Sequence, residues 1–345
     1  MQFEILNDWD DFLSKLPDEK KDLYYSKQYL ELYADEKNVP QCAAAYEGDS
    51  VMLMPYMRGE INGFYDFETA YGYGGPISNS DDDNWNHCAF RGIYDLLKSS
   101  NYLCGFTRFH PLLHNESLVE EESETRSIKL LYDRKTIAID TSGTCDDIWS
   151  TQINSKNRNM IRKAEKNELI FNAEYDYESY DEFIKLYDET MKRLNADEFY
   201  FFDRDYYYRL KENLKGQSFL GTIKKDGKLI CAAIFMYSKA YGHYHLEGSD
   251  REYSGLGANN LLLWKAACEM NKLGIKEFHL GGGTSGAEDD SLYKFKKAFS
   301  PNEKSFYIGK EIFKPDEYER IAKVWEENNP DKVSIYGNRL LKYRY

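Results

Sequence analysis

The sequence predicts an α+β protein with a mixed sheet, arranged as two domains. Three observations carry this. The chain has 345 residues, more than one ordinary core takes. A succession of helix, strands, helix and strand occurs before residue 145 and again after it. Between residues 217 and 249 three strand-like runs follow one another directly, as in an antiparallel meander. The expected domains are 1–145 and 146–330, with a tail over 331–345; "DTSGTCDD" interrupts the pattern at the change.

The elements follow from local patterns. Tyr25, Leu30, Leu32 and Tyr33 recur at helical spacing in "YSKQYLELYADE". "PQCAAAYEGDSVMLMPYMRG" reads as two strands about the turn "EGDS". "NWNHCAFRGIYDLLKSS" is a helix opened by the polar run "NSDDD". "NYLCGFTRFHP" and "SIKLLYDRKTIAIDTS" are strands. In the second half, "SYDEFIKLYDETMKRL" and "DRDYYYRLKENL" are helices, and "KKDGK" is a hairpin turn inside the meander. "ANNLLLWKAACEMNKLG" is a helix closed by Gly274. "IKEFHLGGG" is a strand, "DSLYKFKKAF" a helix, "KSFYIGKEIF" a strand and "DEYERIAKVWEEN" a last helix.

Composition narrows the function classes. Charged residues make up 30% and hydrophobic residues 42%, a globular balance. No run of about 18 apolar residues exists, so no spanning helix is expected. "MQFEILNDWDDF" lacks the basic start and apolar core of a signal peptide, and a cytoplasmic protein is expected. The net charge of −14 argues against a broad nucleic-acid-binding face. The six cysteines form no C-x-x-C pair, which disfavours a zinc knuckle or redox motif. The chain has no G-x-S-x-G elbow, P-loop or H-E-x-x-H motif.

Three stretches carry a family resemblance: "YGYGGPI" (71–77), "STQINSKNRNMIRKAEKN" (150–167) and "FHLGGGTSGAEDDSLYKFKKAFSP" (278–301). Together they resemble the Fem-type aminoacyltransferases, a family of two tandem GNAT-like acyltransferase domains that includes peptidoglycan bridge-forming enzymes and envelope-sugar acyltransferase relatives. The most specific part is the F-K-x-x-F helix after the glycine turn. The long coiled-coil arm of some members has no counterpart here.

The resemblance implies amide formation from an activated acyl donor. Such a reaction needs a neutral amine, a positive or donating group for the developing oxyanion, and anchors for substrate anions. It places the carbonyl-polarising lysine at Lys296, with Tyr293 on the same helix as a substrate-binding residue. His243, His245 and Glu247 alternate along one strand and are expected to share a face. His245 or Glu247 is the candidate base, and His243 and His279 are candidate substrate contacts. H-x-H-x-E also offers three metal ligands, but no fourth ligand follows at a convincing spacing, so no metal is assigned. "EYSGLGA" resembles the pyrophosphate loop of acyl-CoA enzymes through Gly255 and Gly257, with Glu252 where a glutamine or arginine is usual, and Asn259 near the helix start is a further candidate donor contact. Arg158 and Arg162, at i and i+4, are candidate phosphate anchors. Tyr71, Tyr73 and Gly74 form a candidate sugar wall.

The expected function is an acyl- or aminoacyltransferase forming an amide on an envelope precursor. The acceptor would be a nucleotide- or lipid-linked amino sugar, or a peptidoglycan peptide. The alternatives are an acyl-CoA-dependent N-acetyltransferase of a small-molecule or sugar amine, and a non-catalytic GNAT-like binding module. No tightly bound cofactor is expected. The acyl donor, acyl-CoA or aminoacyl-tRNA, would be a co-substrate.

Overall fold

A computed structural model describes residues 1–123 and 128–345. The strand expected from Ser127 therefore has its first residue outside the described residues. Thirteen strands occur among the described residues. The first six are β1 (Gln2–Leu6), β2 (Val39–Glu47), β3 (Ser50–Ile61), β4 (Phe64–Glu68), β5 (Ile77–Ser78) and β6 (Tyr102–Arg108). Then come β7 (Ile128–Asp140), β8 (Ile170–Glu174), β9 (Ser218–Lys225), β10 (Lys228–Tyr237), β11 (Tyr241–Ser249), β12 (Glu277–Gly282) and β13 (Glu303–Ile312). The helix expected over 25–36 is instead a string of short turns around Lys27–Leu30.

Residues 1–133 and 306–345 form one compact unit, and residues 134–305 form the other. This differs from the expected division at 145 and 330. The reason is pairing: Ile308–Ile312 of β13 lie antiparallel to Cys104–Arg108 of β6. The late strand therefore completes the early sheet.

The sheet of the first unit runs β1-β2-β3-β4-β6-β13, with β5 beside β3. Helix α1 (Asp83–Ser99) starts where the Asp82 carboxylate accepts from the amides of Asn84 and Trp85. It buries Phe90, Ile93 and Leu97 against Met52, Met54 and Phe67. A smaller cluster joins Leu103 and Cys104 of β6 to Ile321, Leu340 and Leu341. Ile321 belongs to α7 (Pro315–Asn328), which is followed by α8 (Pro330–Tyr336). The expected 331–345 tail is thus packed structure. Arg344 bonds the Asp66 carboxylate, and its Nη1 lies 2.9 Å from Glu68 Oε1. Asp66 is buried, so this pairing neutralises a charge away from water.

The second unit orders its strands β7-β12-β11-β10-β9-β8, with only β11 and β12 parallel. Its longer helices are α2 (Ser155–Lys166), α3 (Tyr180–Arg193), α4 (Arg204–Asn213) and α5 (Ala258–Lys272). Helix α5 lays Leu261, Leu262 and Ala266 on Phe219, Ile223 and Phe235, with Ile161 and Ala164 of α2 in the same cluster. The other face of β11 meets α3. There a Cβ on Gly248 would stand 2.7 Å from the Tyr187 nitrogen, so only glycine lets helix and strand approach. Helix α6 (Ser291–Lys297) closes the unit after β12. No described helix is long and apolar enough to cross a membrane.

Candidate functional site

The second unit brings Lys296, Tyr244, Glu247, Cys231 and Asn259 together. Lys296 sits on α6, and only 7% of it is exposed. Its Nζ donates to the Gly282 carbonyl at 2.8 Å and lies 5.7 Å from the Tyr244 ring centroid. Burial lowers its pKa to about 8, with Arg134 adding to the lowering, while Asp290 and Glu247 oppose it. An ammonium held this way is charged at neutral pH yet poorly hydrated, the state that stabilises an oxyanion most.

The glycine turn before α6 is built around Asp290, a residue that no sequence motif marks. Its Oδ2 accepts from the Thr284 and Ser285 amides, both at 3.0 Å, and from both hydroxyls. Its Oδ1 caps α6 by accepting from the Tyr293 amide at 2.8 Å. These bonds hold the Asp290 carboxyl well below the usual range. Gly281 has φ +78° and faces the ammonium: a Cβ there would stand 3.2 Å from Lys296 Nζ. The signal available in the letters is an aspartate directly before a helix.

The expected common face of His243, His245 and Glu247 does not form. Strand β10 pairs Phe235 with Tyr244 and Ile234 with Leu246, which leaves His245 as the extra residue of a β-bulge. The alternation therefore slips by one. Glu247 faces the same way as Tyr244, and His243 faces the other way. Asn259 Nδ2 donates to Glu247 Oε1 at 3.1 Å, and Cys231 Sγ lies 3.6 Å from the same oxygen. Burial raises the Glu247 pKa, against lowering by Ser249, Cys231, Arg193 and Asn259.

His245 turns toward α4, where its Nε2 lies 2.8 Å from the Tyr206 hydroxyl. Burial, and then neighbouring His243, depress its pKa to about 3. An imidazole that weak is a poor acceptor for an ammonium proton. His243 pairs across the parallel ladder with His279, their ring centroids 5.8 Å apart, and His279 Nε2 lies 2.8 Å from Thr136 Oγ1. Both histidines are buried.

The glycine loop enters α5 through Gly257, which has φ +82° and serves as the N-cap. A Cβ there would stand 2.7 Å from the Met160 carbonyl oxygen, whereas Gly255 faces open space. The first amides of α5 are thus available at a helix start. Arg158 is engaged by the fold itself, since its Nη1 donates to the carbonyls of Trp149, Ser150 and Ile153 at 2.8–3.3 Å. Arg162 is exposed, and its guanidinium lies 5.3 Å from the Trp149 ring centroid. Tyr293 donates to Glu303.

In the first unit the 71–75 loop is tightly held. Tyr29 donates to the Tyr71 carbonyl at 2.6 Å, and Tyr25 and Asn115 both donate to the Gly74 carbonyl. Tyr73 meets Tyr24 and His110 edge-on. His110 Nε2 lies 2.8 Å from Asp22 Oδ2, both side chains being fully buried. His110 Nδ1 accepts from the Leu112 amide, so Nε2–H donates to Asp22. This pair was not legible in the sequence, because its members lie on distant segments.

Residues 154–297 match the family described as an acetyltransferase (GNAT) domain. No curated protein matches the sequence. Among solved structures, FemX superposes with TM-score 0.72 at 14% identity, covering 93% of this chain and 100% of that one. A conserved protein of unknown function from Bacteroides thetaiotaomicron gives TM-score 0.60 at 13% identity, covering 90% and 99%. The C-terminal domain of a putative lysylphosphatidylglycerol synthetase from Agrobacterium fabrum gives 0.56 at 13%, covering 88% and 92%. The chain has the α+β fold of FemX, and residues 154–297 of it match a GNAT acetyltransferase domain.

Proposed function

We propose that the protein transfers an acyl or aminoacyl group to an amine of a cell-envelope precursor, in the cytoplasm, with Lys296 stabilising the oxyanion. One observation carries this reading: a buried ammonium fixed between the Gly282 carbonyl and the Tyr244 ring, beside a left-handed glycine turn. The neutral acceptor amine attacks the donor carbonyl carbon. A C–N bond forms, and the carbonyl electrons move to the oxygen that Lys296 faces. The nitrogen gives its proton to the Glu247 carboxylate. The oxyanion then collapses, the C–S or C–O bond to the donor breaks, and the leaving thiolate or alkoxide takes the proton that Glu247 received, restoring the carboxylate.

Glu247 is preferred over His245 as base because burial raises its affinity for a proton, while His245 holds one too weakly. Gly255, Gly257 and Asn259 would hold the donor at the start of α5. Arg162, and the second-unit residues His243, His279 and Tyr293, remain candidate acceptor contacts, with Arg158 positioning the turn beneath. Tyr71, Tyr73 and Gly74 are proposed as a sugar-binding surface of the first unit, pre-ordered by Tyr29, Tyr25 and Asn115.

FemX and the synthetase domain, as structural likenesses, support an aminoacyl donor. The acetyltransferase family match and the glycine turn at α5 favour a second reading, an acyl-CoA-dependent N-acetyltransferase. Transfer assays with acetyl-CoA and with aminoacyl-tRNA, each against UDP-linked amino sugars and muramyl peptides, separate the two. Product with one donor, lost in Lys296→Ala, supports the assignment. Binding of either donor without turnover under every combination would leave a binding module instead.

A further inference from the structure

The chain carries 59 acidic and 45 basic residues, so a cavity whose charges are all positive is an exception that needs a reason. One such cavity lies wholly within the first unit, between β13, the start of α7 and the segment after α8. Its volume is about 670 Å³, within the range of small-molecule sites. Lys129, Lys310 and Lys342 line it, and among the described residues no carboxylate does.

Three ammonium groups around one hollow repel each other unless an anion joins them. Their partners in the described structure are few. Lys342 bonds Glu326 Oε1 at 2.7 Å, and Lys310 reaches the Asn338 carbonyl at 3.5 Å, the edge of hydrogen-bond distance. Lys129 has no hydrogen-bond or ion-pair partner among the described residues. Apart from Gly337 and Asn338, the remaining described wall is apolar and aromatic. Ile312, Pro315 and Tyr318 contribute to it, and the Tyr318 ring is fixed because its hydroxyl donates to the Leu340 carbonyl at 2.8 Å. A preformed apolar wall in a hollow lined by lysines, of which Lys129 and Lys310 have no carboxylate partner among the described residues, matches a molecule with an anionic head and an apolar or aromatic body. A phosphate monoester fits better than a carboxylate, because it carries between one and two negative charges at neutral pH and lysine recognises phosphate as a point charge.

We propose that this cavity binds a phosphate monoester attached to an apolar or aromatic body. The site involves none of the residues assigned to transfer, and it stands or falls separately from the acyltransferase assignment. A soluble nucleotide and the headgroup of phosphatidic acid both offer this chemistry.

The test uses the full chain. Isothermal titration with AMP and with adenosine probes the soluble source. Co-sedimentation with phosphatidylcholine vesicles, with and without phosphatidic acid, probes the lipid source. The variant is Lys129→Gln with Lys310→Gln, two side chains at the cavity mouth whose loss removes charge without emptying a core. An unchanged melting temperature without ligand establishes that it folds. The expected result is binding to AMP but not adenosine, or recruitment only by phosphatidic acid. In either arm the double variant weakens binding at least about tenfold, and added salt weakens the wild type. Absence of binding in both arms, or equal affinity of variant and wild type, overturns the proposal.

Discussion

Replacing Lys296 by methionine sets stability against chemistry. The folded protein lowers the lysine pKa from 10.5 to about 8, chiefly through burial. Each pKa unit is worth about 1.4 kcal/mol, so burying the charged form costs about 3 kcal/mol near neutral pH. The sign follows from proton counting. Between pH 8 and 10.5 the unfolded chain holds the proton and the folded chain releases it, so this residue's contribution to stability rises with pH across that window. Below about pH 8 the full penalty is present. Methionine keeps the stem and removes the charge, but forfeits the hydrogen bond to Gly282, worth about 1 kcal/mol. Lys296→Met is therefore expected to be more stable by about 2 kcal/mol at pH 7, or roughly 4–8 °C for a unit of this size. The advantage should shrink toward pH 10. Transfer should fall by about 10²–10³-fold, as when an oxyanion donor is removed. Differential scanning calorimetry from pH 6 to 10 beside a transfer assay reads both, the pH range following from the lysine pKa values above. A variant less stable than wild type at pH 7, with activity intact, would refute the burial argument and the catalytic role together.

Three further outcomes follow from the described contacts. Glu247→Gln keeps the acceptor for Asn259 but removes the base, so transfer should drop by about 10²–10⁴-fold with little change in melting temperature, and the rise of rate with pH on the acid side should disappear. Gly281→Ala forces a side chain into φ +78° and within 3.2 Å of the ammonium; it should cost about 1–2 kcal/mol and lower kcat more than it raises KM, checked by melting and steady-state kinetics. Arg344→Ala strands the buried Asp66 carboxylate; urea unfolding should show a loss of about 3–5 kcal/mol, and Asp66→Asn in the same chain should recover part of it.

The meander, the glycine turn and the F-K-x-x-F helix were legible because each is a local pattern: alternation, a hairpin turn, a cap. The exchange of faces along β11 was not. His245 is as polar as its neighbours, so nothing in the letters marks it as the extra residue of a bulge. Only the partner strand reveals the slip, and with it the separation of Glu247 from His243. Short β1, β4 and β8 escaped for lack of enough residues to establish a period. "KSFYIGKEIF" was recognisable as a strand, but its partner β6 is a long-range choice that propensity does not encode. Asp290 was readable as a cap directly before a helix, but its grip on the amides and hydroxyls of Thr284 and Ser285 depends on how the glycine turn folds back.

The interleaving of the two units has a temporal side. Synthesis proceeds from the N-terminus, so a nascent chain that has reached residue 305 holds every residue of the second unit while β13, α7 and the Arg344 clamp of the first are still unmade. The part begun first is completed last, leaving the β6 edge uncovered while the later part can already close. Limited proteolysis of arrested ribosome complexes should accordingly find the later unit protected before the earlier one.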